Sequence, residues 1–327
     1  MKQVTTEHPD ATDDPDEFAD VPALATRLGV SDPPRPSRLS VPTHDGRTVS
    51  AVRWTAAEPS AADASAADAT GADATAADAT ATYLHGVGIE ARSFDETIIA
   101  LGEPAVVLDL PGHGRSSWRD DARYSADTVA PDLLAVMRTL QVPRGLLVGH
   151  SLGAIIAARI AATTPERVTG LVLVDMSPDF TQRAVDRIVR ALELEPDHAD
   201  LDAVVEHALE ARLGEERAAL EREARHATHV DRAGRRVRRH HFPHLADGVT
   251  ADVGQFVDAW ADLERLEVPV LLVRGDRGYV SPKLVRGFAE RLPRAEIVTV
   301  TARHSVQTQA PRELAAAIAA FRLTHGV

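Results

Sequence analysis

The stretch Leu147-Val-Gly149-His-Ser151-Leu152-Gly153-Ala154 sets a serine at the junction of an apolar strand pattern and a helical one. A serine hydroxyl is a weak nucleophile until a base takes its proton. Gly149-x-Ser151-x-Gly153 has the spacing of a nucleophile elbow, a turn so sharp that side chains two residues either side would meet backbone. Glycine at both positions removes that conflict. The competing reading is a serine N-cap on an ordinary helix, so the assignment rests on whether the chain supplies partners. His304, in Thr301-Ala-Arg-His304-Ser-Val-Gln, is the candidate base. Asp276, directly after Leu271-Leu-Val-Arg-Gly275, is the preferred candidate for the acid that holds the imidazole tautomer and stabilises its charged form. Asp175, closing Gly170-Leu-Val-Leu-Val-Asp175, is the alternative acid. Leu84-His-Gly-Val87-Gly88 opens a glycine-bearing loop that can aim the Val87 N–H at a developing oxyanion. The N–H of Leu152, next to the serine, is the second candidate donor.

All of these lie at or just past the carboxyl ends of expected strands, where doubly wound sheets bind ligands. Strands are expected over 80–85, 105–110, 145–149 and 170–175, with helices over 93–101, 128–140 and 151–164. Short apolar strands alternating with amphipathic helices mean an α/β fold whose mostly parallel sheet is covered on both faces. Upstream, the Asp45-Gly46 turn joins strands over 38–42 and 47–54 as an edge hairpin. The rhythm stops after 178. Residues 179–255 are charged and helical, with helices over 183–194, 201–213 and 215–227, and read as a cap over the sheet's end. It resumes in 256–327, with strands over 268–274 and 295–300 and helices over 282–291 and 311–322. The core is thus 38–178 plus 256–327.

Residues 1–37 are acidic and proline-broken and are expected to be disordered, although 18–28 can form a short helix. Four copies of an Ala-Asp-Ala pentapeptide fill 61–80, within a low-complexity stretch over 57–80. This is most simply a flexible surface loop between two strands. The 327 residues carry 36 Lys and Arg against 49 Asp and Glu, a formal charge of −13, which argues against a nucleic-acid partner. The absence of cysteine removes thiolate catalysis and cysteine-ligated metals. No apolar run suits a signal peptide or a membrane span, so a cytoplasmic protein with no membrane partner is expected.

As an ensemble these motifs resemble the alpha/beta-hydrolase superfamily: His85-Gly-Val-Gly88, Asp109-Leu-Pro-Gly-His-Gly-Arg-Ser116, Gly149-His-Ser-Leu-Gly153, Asp276 and His304-Ser-Val, in the family's order across about residues 38–325. The resemblance implies an eight-stranded, mostly parallel sheet with a helical cap after the sixth strand. It also implies Ser151 as nucleophile, His304 as base and Asp276 as acid. One departure matters. The family's frequent Gly-x-x-Asp-x-x-Val form would put Gly278 at the acid position, which keeps Asp175 as the alternative.

The expected function is a serine hydrolase cleaving a carboxylic ester or related acyl bond of a small-molecule substrate, with no cofactor and no metal. Carbon-carbon bond hydrolase, thioesterase, lactonase and haloperoxidase-like chemistry are alternatives on the same fold, as is a slow-turnover ligand-binding or signalling role. His226, His229, His240, His241 and His244 cluster in the cap without a metal-ligand pattern. Arg235, Arg236, Arg238 and Arg239 read as a solvated face before an anionic-substrate contact. His113 reads as structural.

Overall fold

The computed structural model describes residues 17–56, 75–211 and 213–327. In chain order its elements are α1 (Val21–Arg27), β1 (Arg35–Pro42), β2 (Thr48–Thr55), β3 (Ala81–Leu84), α2 (Asp95–Leu101), β4 (Ala105–Leu108), α3 (Ala126–Thr139), β5 (Gly145–His150), α4 (Leu152–Thr163) and β6 (Val168–Val174). There follow α5 (Gln182–Glu193), α6 (Leu201–Glu210), α7 (Arg217–Ala227), β7 (Thr228–Val230) and β8 (Arg236–Arg238). The chain closes with α8 (Ala259–Leu263), β9 (Val270–Gly275), α9 (Pro282–Arg291), β10 (Glu296–Val300), α10 (Val306–Gln309) and α11 (Pro311–His325).

Eight strands form one sheet in the order β1-β2-β4-β3-β5-β6-β9-β10. β2 runs antiparallel to both β1 and β4, and the remaining pairings are parallel. Alternate residues of each strand enter different layers, as the two-residue period of a strand requires. Val106, Leu108, Leu171 and Leu173 pack with α3, α4, α8 and α9, while Val107, Val172 and Val174 pack with α1, α2 and α11. Burial on both faces is why these strands are apolar without interruption. α5–α7 and the β7–β8 hairpin sit between β6 and α8 in the chain, and Val204, Val205, Ala208, Leu220 and Ala224 form a small core of their own there.

Two sequence expectations are corrected. Residues 17–37 are ordered: Val21, Leu24, Ala25 and Leu28 pack into the core, and Asp20 accepts hydrogen bonds from Arg92 Nη2 at 2.7 Å and Arg222 Nε at 2.6 Å. Burial alone would raise the Asp20 pKa, but His226, Arg222 and Arg92 hold it well below the usual carboxylate range. Glu17 pairs with Arg38, whose Nη1 also donates to Asp109 at 2.9 Å. Charged composition suggested disorder, but the partners come from three distant segments. The fourth pentapeptide, residues 76–80, is likewise part of the core. Ala76 and Ala79 are buried, the Ala76 N–H donates to Leu140 O at 2.6 Å, and Asp78 pairs with Arg53 at 2.9 Å. A small side chain was all that crowded position required. Residues 1–16 and the first part of the low-complexity stretch, 57–74, lie outside the described residues.

Candidate active site

β5 runs into α4 through Ser151, whose φ of 53° and ψ of −120° are unusual for any residue with a side chain. Such a conformation carries about 1–3 kcal/mol of strain and persists because its surroundings over-determine it. The surroundings here are close backbone. A Cβ on Gly149 would lie 2.5 Å from Ala154 Cα and one on Gly153 2.5 Å from His85 O. The Ser151 N–H donates to Val174 O at 3.2 Å, fixing the turn to the neighbouring strand. Leu152 begins α4, so its N–H has no acceptor within the helix.

His304 lies beyond β10, and its Nδ1 is 2.8 Å from Asp175 Oδ2. Asp175 follows β6 with a φ of 45° and is fully buried. Its Oδ1 accepts from the Gly275 N–H at 3.1 Å and its Oδ2 from the Tyr279 N–H at 2.7 Å. An anionic acceptor on His304 Nδ1 fixes the tautomer that leaves Nε2 free to accept a proton. The Tyr279 ring stacks on His304 with centroids 4.0 Å apart, restricting the imidazole further.

The preferred acid, Asp276, is therefore corrected to the alternative, Asp175. The Asp276 side chain is 43% exposed, and its Oδ1 accepts from the Ala302 N–H at 3.1 Å, tying the loops after β9 and β10 together rather than reaching the imidazole. Gly278 explains the exchange. A Cβ there would lie 2.6 Å from Asp175 Cγ, so the space left by the missing side chain is the space the Asp175 carboxyl occupies.

Several supporting groups carried no role in the sequence reading. His150 Nε2 lies 3.0 Å from His304 O and fixes the backbone of the histidine loop. Burial, reinforced by the nearby His304, drives the His150 pKa well below its ordinary value, so it acts as a neutral donor. His85 Nε2 accepts from the Leu110 N–H at 2.9 Å and its Nδ1 donates to Gly86 O at 2.8 Å. Asp109 accepts from the Ala91 N–H at 2.8 Å. The loop bearing Val87 is thereby fastened at both ends to the Asp109–Ser116 turn. His113, read from the sequence as structural, is fully buried, with Nδ1 3.2 Å from Pro111 O, and burial drives its pKa well down. His150 and Asp109 stood inside quoted motifs, and their direct adjacency to Ser151 and to a strand end was the available signal.

Ser151, His304 and Val87 line one cavity of about 240 Å³. Ile188, Leu192, Val204, Ala208 and Leu220 form its apolar walls, with Glu195, Glu223 and Arg238 on the cap side. Arg238 is buried and pairs with Glu195, which corrects its reading as part of a solvated face. Arg235 does lie at the surface, paired with Asp231 and Asp197 at 2.9 Å each. Of the cap histidines, His240 Nε2 lies 3.3 Å from Glu195, His241 contacts the Tyr124 hydroxyl at 2.6 Å, and His244 donates to Arg238 O at 2.9 Å. Among the described residues no group of three or more His, Asp or Glu is arranged to hold a metal ion. Nor is any described helix long and apolar enough to cross a membrane.

A family model of the alpha/beta hydrolase fold matches residues 83–311. Esterase Rv0045c of Mycobacterium tuberculosis is 31% identical over 316 residues, covering 91% of this chain and 93% of the relative. Lipase LipV of the same organism is 29% identical and covers 72% of this chain and 90% of its own. A solved structure of the M. tuberculosis esterase superposes with a TM-score of 0.76 at 28% identity, covering 95% of this chain and 99% of that one.

Proposed function

The chain belongs to the alpha/beta-hydrolase family and is an esterase-type serine hydrolase, and we propose that it cleaves small carboxylic esters through an acyl-enzyme on Ser151, with His304 as base and Asp175 as acid. The Ser151 Oγ attacks the ester carbonyl carbon as its proton passes to His304 Nε2. The resulting imidazolium is stabilised by the Asp175 carboxylate at Nδ1. The carbonyl oxygen becomes an oxyanion facing the N–H groups of Leu152 and Val87, the first at a helix N-terminus where negative charge is favoured. Collapse breaks the carbon–oxygen bond, and the leaving alcohol takes the proton from His304. Water then adds to the acyl carbon, giving its proton to His304, and a second collapse frees the acid and returns the proton to Ser151.

The observation that carries this reading is the Asp175–His304 contact opening onto the same cavity as a serine held in a strained elbow conformation. The cavity of about 240 Å³ and its apolar walls support short acyl groups. The test is hydrolysis of p-nitrophenyl esters from acetate to decanoate by the wild-type protein and by Ser151→Ala. Rates that peak at short acyl chains and vanish in the variant are expected. A wild-type rate no higher than that of the variant on every ester would end the hydrolase reading.

A further inference from the structure

The cavity is not apolar throughout, and its polar wall is unevenly satisfied. Glu195 pairs with Arg238 and approaches His240 Nε2 at 3.3 Å. Arg277 and Arg303, which also line the cavity, both bind Glu215, at 3.0 and 2.7 Å. Arg222, which precedes Glu223 on α7, is engaged by Asp20 and Asp95. Each nearby guanidinium is thus committed to another carboxylate. Glu223, lining the cavity beside Leu220 and Ala224, has no hydrogen-bond or ion-pair partner among the described residues. Burial pushes its carboxyl up from the ordinary value, with Arg238 and Arg222 opposing and Glu195 adding to the rise. Leaving a carboxylate half-buried and unpaired is costly. The Nε of Arg238, buried without an acceptor, is the weaker feature beside it, because that guanidinium already has its counter-ion.

We propose that Glu223 forms a cation subsite in the acyl-ester cavity, selecting substrates that carry an ammonium or similar cationic hydrogen-bond donor away from the ester carbonyl. This rests on the hydrolase reading for the word substrate, while the binding itself can be measured without turnover. Bound there, the ligand cation keeps Glu223 ionised and supplies the partner that the fold leaves out. The apolar walls cover the methylene chain between the ammonium and the carbonyl.

The experiment is a ligand-observed NMR titration of the wild-type protein with n-butylammonium, n-butanol and butyrate, each challenged with p-nitrophenyl acetate to localise binding to the cavity. Butylammonium is expected to bind about tenfold more tightly than butanol, and butyrate more weakly than either. In Glu223→Gln the ammonium preference should collapse to less than threefold. Because the ratio is taken within each protein, a change in overall affinity does not enter it. Should that variant fail to fold, Glu223→Ala takes its place, and the wild-type series stands by itself. A wild-type preference under threefold, tightest binding by butyrate, or an ammonium preference that survives in the variant would each overturn the proposal. The last would assign the cation to another group, and butyrate would assign the polar wall to Arg238. Absence of p-nitrophenyl acetate turnover would instead strike the hydrolase reading and leave the binding ratio to decide the subsite.

Discussion

Substituting Asp175 by Asn removes one charge and nearly nothing else, which makes it the sharpest probe of the acid. The carboxylate faces three donors: His304 Nδ1 at 2.8 Å and the Tyr279 N–H at 2.7 Å on one oxygen, the Gly275 N–H at 3.1 Å on the other. An asparagine must turn its NH2 towards one side. Facing Gly275 it opposes one donor at the longer distance, whereas facing Tyr279 and His304 it opposes two. The first orientation is favoured, so the His304 tautomer is retained and the principal loss is electrostatic. An imidazolium and a carboxylate with charge centres about 4 Å apart attract by about 4 kcal/mol at an effective dielectric constant of 20. At about 1.36 kcal/mol per decade that is roughly three orders of magnitude in kcat, rising to about 10⁴ if the tautomer flips as in the serine-protease template. Asp276→Asn should cost less than about threefold, because its carboxylate is 43% exposed and serves only a backbone N–H and a surface arginine. The assay is initial-rate hydrolysis of p-nitrophenyl acetate with Ser151→Ala as background, alongside thermal melts to establish that both variants are folded. An Asp276→Asn loss equal to or larger than that of Asp175→Asn would refute the reasoning, as would a folded Asp175→Asn within tenfold of wild type.

The glycine facing Asp175 should be as exacting as the acid itself: Gly278→Ala sets a methyl 2.6 Å from Asp175 Cγ and is expected to lower kcat by about 10²-fold while the melting temperature falls by only a few degrees, read by the same assay. Stability should fall with acid well before the carboxylates titrate. Burial depresses the pKa of His85, His113 and His150 in the fold, so the unfolded chain takes up protons below its value near 6.5 that the fold refuses. Stability is therefore complete above about pH 6.5 and is lost below it, by about 1.4 kcal/mol per pH unit for each such histidine, and urea unfolding at pH 7.5 and 5.5 measures this; equal midpoints would contradict it. Asp20→Asn leaves Arg92 and Arg222 sharing only Asp95, and about 2 kcal/mol of stability should be lost, visible as a lower urea midpoint.

What could be read in the sequence was whatever depends on neighbours in the chain. Gly149 and Gly153 flank Ser151 within five residues, and the clash Gly149 avoids is with backbone of the same turn, although Gly153 makes room for the distant end of β3. The strands were legible because a strand buried on both faces has no polar position to break the pattern. The acid was not legible for the complementary reason. Asp175 and Asp276 each follow a strand of the sheet, and the choice between them turns on which carboxylate meets the His304 ring, 129 residues beyond Asp175 and past the strand that pairs with β9. Gly278 marked an abnormality at the acid position, yet only the three-dimensional contact reveals that its emptiness is filled from β6. Residues 17–37 and 76–80 were misjudged because composition counts charges and alanines but is blind to the distant arginine, or the narrow gap, that gives each its place.

α7 links the N-terminal segment to the cavity. Arg222 and Glu223 are consecutive on that helix, so their side chains diverge by about 100° around its axis. Arg222 reaches the core through Asp95 and the N-terminal segment through Asp20, while Glu223 lines the cavity that also holds Ser151 and His304. The ion-pair cluster therefore fixes the rotation of the helix that carries Glu223. A cap docked by apolar contact alone can slide, because dispersion is indifferent to small changes of register, whereas hydrogen bonds from one guanidinium to two carboxylates tolerate little displacement. Such an anchor positions Glu223 in the cavity that also holds the nucleophile. The ordered N-terminal segment, which composition marked as disordered, thus helps to position the helix that lines the substrate pocket.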